Sequence, residues 1–505
     1  MTGLDLRLGM LSRLALALVA GGLCLCTGAW SSDPDEATQF GASRDADGRS
    51  RASRTSGAPP APAGARELGR RMHDLIPGGA HTYAKGDDQW PESTPTALVR
   101  GKGCRVWDAQ GREFIEYASG SRSVTLGHAY PEVVEAAQRQ LHLGSNYTRP
   151  AVIELECAER LLELIDPADM VKFTKDGSTA VTAAVRLARA CTGRELVAVC
   201  ADQPFFSYDD WFIGTTAINA GVPRAVRDLT VGFRYNDIAG ARSLFEAHRG
   251  QIACVVLEAE KADPPRDDFL MRLRDLCTRH GALFILDELI TGFRYHLGGA
   301  QALFGLEPDL SAFGKGMSNG FSVSALVGKR EIMELGGIRH DGERVFLLST
   351  THGAEHHALA AAVATMRVYR QKAVIEALHA KGERLRAGIE RAVAELGIGE
   401  HFQLFGRASN LVFATRDAEG EPSQPFRTLF LQEMVDRGFL APSFVVGFSH
   451  GEREIDLTVE ATAEALAVYA RALEDGVAHH LRGRPVAPVY RRFNDAKGAE
   501  GRLKA

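Results

Sequence analysis

Between about residue 150 and residue 340, short continuous apolar runs alternate with segments that are apolar at helical spacing. The runs read "LVAVC", "IACVVLE", "ALFILDE" and "SALVG"; the helical segments include "STAVTAAVRLARACTG" and "DDFLMRLRDLCTRHG". A strand apolar on both faces must be covered on both, and helices crossing between parallel strands do that. The pattern predicts an α/β domain around a largely parallel sheet. Any ligand belongs beyond the carboxyl ends of its strands.

The flanks read differently. "ALVRGKGCRVWDAQGREFIEYASG" alternates around "DAQG" as a β-hairpin, and "PEVVEAAQRQL" opens a helix with Pro131. Beyond residue 355 the chain is helix-rich, with "LVFATRD" as a strand among the helices. The expected division places residues 67–130 in the N-terminal segment of a smaller domain and 131–354 in the large α/β domain. Residues 355–475 form a smaller α+β C-terminal domain, and 476–505 a basic tail. Within residues 1–30, "LALALVAGGLCLCTGAW" follows Arg7 and Arg13 like the apolar core of a secretory signal, although no clean cleavage site follows. A non-structural extension is the alternative. Residues 31–66, rich in Ser, Asp, Arg, Gly, Ala and Pro, read as a disordered linker.

The chain is 45% hydrophobic and 24% charged, enough for a sizeable core. A formal net charge of −5, with no basic stripe interleaved with aromatics, argues against nucleic acid as a partner. Of the eight cysteines, the six from Cys104 onward stand singly and without metal-ligand spacing. They predict buried, reduced thiols and a cytoplasmic setting, with export or membrane association left open by the first thirty residues.

Three motifs carry chemistry. "GALFILDELITGFR" ends a buried strand at Asp287 and Glu288. Neighbouring strand residues point to opposite faces, so one acid faces a site and the other serves structure. No ligand spacing supports a metal there. "VKFTKDGSTAVTAAVRLARA" runs from a strand through Lys175, Asp176, Gly177, Ser178 and Thr179 into a helix. Such a turn is either a phosphate cup or an ordinary helix cap. In "DLSAFGKGMSNGFSVSALVG", Lys315 stands among glycines and small residues. Neither "LVGKR" nor "GKGMSNG" has the spacing of a nucleotide loop. A phosphate cup, a strand-end carboxylate and an isolated lysine together fit pyridoxal phosphate (PLP). Its phosphate, ring nitrogen and aldehyde need those three groups.

From about residue 67 to 475 the chain resembles the subgroup (class) III aminotransferases of PLP fold type I, with the greatest likeness to glutamate-1-semialdehyde aminomutase. The matching segments are "IPGGAHT", "LGHAYPEV", "FTKDGSTAVTAAVRLARACTGR", "VVLEAE", "LDELITGFR", "DLSAFGKGMSNG" and "STTHGAE". The resemblance implies a large domain with a mostly parallel sheet, a smaller α+β C-terminal domain, and a homodimer with shared active sites. It makes Lys315 the Schiff-base lysine and Asp287 the partner of the ring nitrogen. Leu289 would pack on the ring, Phe205 would stack on it, and Gly177 and Ser178 would hold the phosphate. Thr179 would add a second hydroxyl there, and Thr351 would reach the neighbouring subunit's cofactor.

The departures from the family pattern fall around the substrate. The usual Ser-Gly-Thr-Glu turn is Asp176-Gly177-Ser178-Thr179 here, with Asp176 expected to point away from the phosphate. A Tyr-His pair is Phe205-Phe206. Lys85 replaces an arginine, and "GSRSV" in place of "SWGP" puts Arg122 near the substrate mouth. Arg122 and Lys85, with Arg149 and Arg407, are candidate anion binders or else surface and structural cations. The activity expected is amino transfer from an amino acid donor to a keto, aldehyde or sugar-like acceptor. The aminomutase reaction, a PLP racemase and a non-catalytic binding module are the alternatives.

Overall fold

A computed structural model describes residues 64–492. The apolar segment 1–30, nearly all of the 31–66 linker and the last part of the tail lie outside the described residues.

The strands, in chain order, are β1 (Leu98–Lys102), β2 (Arg105–Asp108), β3 (Glu113–Glu116), β4 (Met170–Thr174), β5 (Leu196–Cys200), β6 (Thr230–Phe233), β7 (Ile252–Leu257), β8 (Leu283–Asp287), β9 (Leu310–Phe313), β10 (Ser324–Gly328), β11 (Phe402–Phe405), β12 (Val412–Thr415) and β13 (Phe439–Leu440). Seven of them form one sheet in the order β4-β10-β9-β8-β7-β5-β6. The pairs from β9 to β6 are parallel, while β10 runs antiparallel to both β4 and β9. The fold is therefore α/β, as the alternation of apolar runs requires. In the interior strand β7 every residue is buried, from Ile252 to Leu257. Each large aliphatic side chain buried there contributes about 1.5–3 kcal/mol.

The helix Gly177–Thr192 packs its alanines and Val181, Val185 and Leu187 on this sheet, in one cluster with Val255, Phe284 and Leu310. A second cluster joins Phe313, Met317 and Ala325 to the helices Pro131–Leu143 and His356–Gln371. The helix that follows residue 355 thus packs against the large sheet. A third cluster gathers the C-terminal helices Val374–Glu395, Gln424–Asp436 and Glu452–Asp475 around Phe402, Phe413 and Phe430.

The predicted hairpin is β2–β3, and its turn is closed by Asp108, whose carboxylate accepts from the amides of Gln110 and Arg112. It belongs to a small sheet, β1-β2-β3-β13, in which Ile115 of β3 pairs in parallel with Phe439. The expected tail is packed down through residue 491. Val486 is buried and its amide donates to Thr428, while Gln89 donates to the carbonyl of Ala487 and Arg491 pairs with Asp88.

Five of the six described cysteines are buried, and burial pushes Cys157, Cys200 and Cys254 up to about 12, so they stay thiols. Cys191 departs from the expectation: it lies on the outer side of its helix and is exposed. Among the described residues no helix is long and apolar enough to cross a membrane.

Candidate active site

Strands β7, β8 and β9 deliver to one edge of the sheet Glu258 after β7, Asp287 at the end of β8 with Glu288 after it, and Gly314 with Lys315 after β9. The two acids after β8 do face apart. Glu288 is buried away from the edge, where it accepts from Thr291 and from the amides of Ala300 (2.8 Å) and Gln301 (2.7 Å). Asp287 receives the Leu289 amide at 2.9 Å and lies within the field of Lys315.

Lys315 sits at the start of a short 3-10 turn, Lys315–Ser318, with φ 47°. A non-glycine residue held in the left-handed region costs on the order of 1–2 kcal/mol, so surrounding contacts must impose it. They do. Asn319 accepts from the Leu126 amide (2.8 Å) and donates to the Gly127 carbonyl (2.9 Å), and Tyr369 donates to the carbonyl of Gly316.

Burial is the largest influence on both charged groups. It lowers the proton affinity of the Lys315 amine, an effect opposed by Asp287 and Glu258 and reinforced by Arg122 and Lys261. For Asp287, burial and then the charge of Glu258 push the carboxyl up to about 7, although Lys315 pulls the other way. Glu258 adds an unmet demand. Its Oε1 takes Lys261 at 3.2 Å, but Oε2 is buried without a hydrogen-bond partner. A carboxylate oxygen without a partner and an amine of lowered proton affinity thus share one buried edge.

The Gly-Ser-Thr turn opens the helix Gly177–Thr192, as expected. Asp176 is the N-cap, its carboxylate accepting from the Thr179 amide at 2.9 Å. The Thr179 hydroxyl sits 3.1 Å from the same carboxylate and 3.1 Å from the Tyr208 hydroxyl, so it is taken up by the cap rather than free to serve a phosphate. The amides of Gly177 and Ser178 carry no hydrogen bond among the described residues. Leu289 presses on the turn so closely that a Cβ at Gly177 would lie 2.2 Å from its Cδ1. At Gly314 a Cβ would meet Ser324 Oγ at 2.3 Å and Leu289 Cδ2 at 2.8 Å.

Phe205 is 43% exposed and meets Phe212 edge-on, whereas Phe206 is fully buried. Thr351 is exposed on a loop, its carbonyl accepting from Asn146. Lys85, on a short exposed turn, and Arg149 are both open to solvent. Arg407 is committed to Glu260 through two hydrogen bonds (2.6 and 3.1 Å) and lies over the Tyr295 ring. Arg122 is inside. It ends a run of four left-handed residues, Ser119, Gly120, Ser121 and Arg122 (φ 47°, 55°, 58° and 73°). Ser119 donates to the carbonyl of Val445, and Arg294 to that of Arg122 (3.1 Å).

Glu258, Lys261 and Arg294 were not singled out by motif. "IACVVLE" ends on Glu258 just as "ALFILDE" ends on its acids, which was the available signal. Arg294, 1% exposed, has no carboxylate partner: it donates to Ser409, Val446 and Arg122 carbonyls and to Thr125 Oγ1. The arrangement as a whole suits a ligand that is anionic at one end, cationic at the other and electrophilic between them.

Residues 87–400 match the family described as "Aminotransferase class-III". The chain is also 31% identical to a glutamate-1-semialdehyde 2,1-aminomutase of Desulforamulus reducens, over 80% of this chain and 98% of that protein. The chain belongs to the class III aminotransferase family. Among solved structures, an omega-transaminase from Sphaerobacter thermophilus superposes with a TM-score of 0.72 at 28% identity, covering 81% of this chain and 98% of that one. The PLP form of a Sphingopyxis FumI protein does so at 0.74 and 26%, covering 84% and 98%. This class III chain has fold type I and is a PLP-dependent enzyme.

Proposed function

We propose that this enzyme moves an amino group from an amino acid donor to a keto or aldehyde acceptor, with Lys315 as the amine that takes up PLP. When bound, the cofactor supplies an electron-accepting ring to the carbon that loses its proton. The observation that carries the proposal is Lys315 itself: a strained backbone holds a desolvated amine opposite the buried carboxyl of Asp287. Its reduced proton affinity leaves more of it neutral near pH 7, which suits both nucleophile and proton carrier. Asp287 would face the ring nitrogen, whose positive charge would bring the carboxyl back toward its ionised form. The free amides of Gly177 and Ser178 would take the phosphate, with Thr179 holding the cap in shape, while Leu289 and Phe205 would enclose the ring. The buried, partnerless oxygen of Glu258 fits a site that awaits a further donor or cation.

Lys315→Ala is expected to abolish turnover together with the absorbance near about 420 nm and its loss on borohydride addition. A purified variant retaining full activity would overturn the assignment. The relatives named as aminomutases favour a second reading, in which one substrate is both donor and acceptor. Net release of a keto acid from an added amino donor separates the two, since a mutase releases none.

Thr351 is exposed, which suits a residue that serves a neighbouring subunit. A homodimer is therefore proposed, and light scattering should give twice the chain mass. An active monomer would contradict it. Exposed Leu143, Val152, Ile338 and Phe346 offer apolar surface for such an interface.

A further inference from the structure

Arg122 has features that a structural arginine lacks. Its Nε donates to Asn410 Oδ1 at 2.9 Å and its Nη2 lies at 3.5 Å from Ser443 Oγ. Both partners are neutral, and Nη1 has no hydrogen-bond partner among the described residues. Asn410 is itself fixed, because its amide donates to the Tyr295 hydroxyl at 3.3 Å. One edge of the guanidinium is therefore steered by Asn410 while the other stays open.

Behind it stands Arg294, a buried cation without an acid among the described residues, whose Nη2 holds both the Arg122 carbonyl (3.1 Å) and Thr125 Oγ1 (3.0 Å). Neither arginine has a carboxylate within ion-pair distance among the described residues, although Glu258 lies within the field of Arg122. Burial of such charge is costly unless something anionic meets it. The turn is also tied to the reactive lysine. Asn319, which ends the Lys315 turn, holds Leu126 and Gly127, and a Cβ on Gly316 would come within 2.8 Å of Thr125 Oγ1. Arg122 is one of the charges that Lys315 feels. A planar, five-donor fork with one free edge suits a carboxylate in two-point contact better than a point anion.

We infer that Arg122, presented on its left-handed turn and steered by Asn410, receives the carboxylate of the amino acid donor while Lys315 serves its amino group. The inference rests on Lys315 being the amine at which the amino group is exchanged. Lys85, Arg149 and Arg407 are not needed for it.

The test uses the PLP-loaded protein and follows the donor half-reaction by cofactor absorbance. A panel of L-amino acids is compared with isopropylamine and 1-phenylethylamine, which lack a carboxylate. Arg122→Gln is expected to raise the half-saturating concentration of the reactive L-amino acid by roughly tenfold to a hundredfold, as loss of a charge-assisted pair does. The amines should be unaffected, and Arg122→Lys should recover part of the loss. An equal effect on both donor classes, or none on the amino acid, overturns the inference; so does a wild type that accepts only amines. If the wild type shows no half-reaction at all, the Lys315 reading has failed. Calorimetric binding of propionate and succinate then decides the matter for Arg122. Binding lost in Arg122→Gln, with the melting temperature kept, supports the subsite, and equal binding by both proteins rejects it.

Discussion

Asp176 shows how one residue sets the character of a phosphate cup. Its carboxylate caps the helix by holding the Thr179 amide, and in doing so it places a negative charge next to two free amides. Like charges about 5 Å apart repel by roughly 3 kcal/mol at an effective dielectric of about 20, and by less where water enters. Asparagine caps as well as aspartate. Asp176→Asn should therefore tighten PLP binding by roughly three- to tenfold without changing the melting temperature. Asp176→Ala should lose the cap and cost about 1 kcal/mol. Titration of the apoprotein with PLP beside a thermal melt checks both; looser binding by the asparagine variant would refute the electrostatic reading. At this scale Lys315 and Asp287 were legible because each follows an apolar strand that any reader can find. Glu258 follows one too, but only the fold shows that one of its oxygens is left without a partner. Arg294 could not be read at all, since its partners are carbonyls as distant as Ser409 and Val446.

The element that sequence conceals most is the turn Ser119–Arg122. Four consecutive left-handed residues would suggest glycine, yet only Gly120 is one. Tertiary contacts impose the shape: Ser119 reaches Val445, and Arg294 reaches the Arg122 carbonyl. Such strain is relieved by glycine and worsened by β-branching. Ser121→Gly should raise stability by about 0.5–1 kcal/mol in urea denaturation, and Ser121→Val should lower it by at least about 1 kcal/mol. A destabilised glycine variant would mean that the turn is not strained. The helix Pro131–Leu143 and the hairpin β2–β3 were by contrast legible, because Pro131 and the "DAQG" turn impose their conformations locally.

For the whole molecule, two buried groups set opposing pH dependences. His450 accepts the Gly447 amide at Nδ1 and donates from Nε2 toward the Glu116 carbonyl, and burial lowers it to about 4. Between pH 6.5 and 4 the unfolded chain binds a proton that the fold refuses, so this contribution to stability is lost as pH falls. Asp287, raised to about 7 from 3.8, behaves in the opposite sense: its contribution is full at low pH and is lost as pH rises through 7. Each slope is at most about 1.4 kcal/mol per pH unit, so in the apoprotein the two oppose each other between pH 4 and 6.5. Asp287→Asn should uncover acid sensitivity across that window, and His450→Gln should uncover a loss of stability with rising pH. Denaturation curves at several pH values check this, and identical profiles for both variants would refute it. The α/β class was legible at this scale because apolar runs cannot be hidden. The pairing of β3 with β13 was not, since β13 is two residues long and far along the chain.

That pairing has a temporal side. A ribosome delivers Ile115 long before Phe439, and at about 5–20 residues per second the delay is on the order of tens of seconds. Throughout it the hairpin's open edge has no fourth strand, and Arg294 has not met the carbonyls of Ser409 and Val446. An open strand edge invites pairing with other nascent chains. The edge of β3 therefore stays open to such pairing until β13 has left the ribosome.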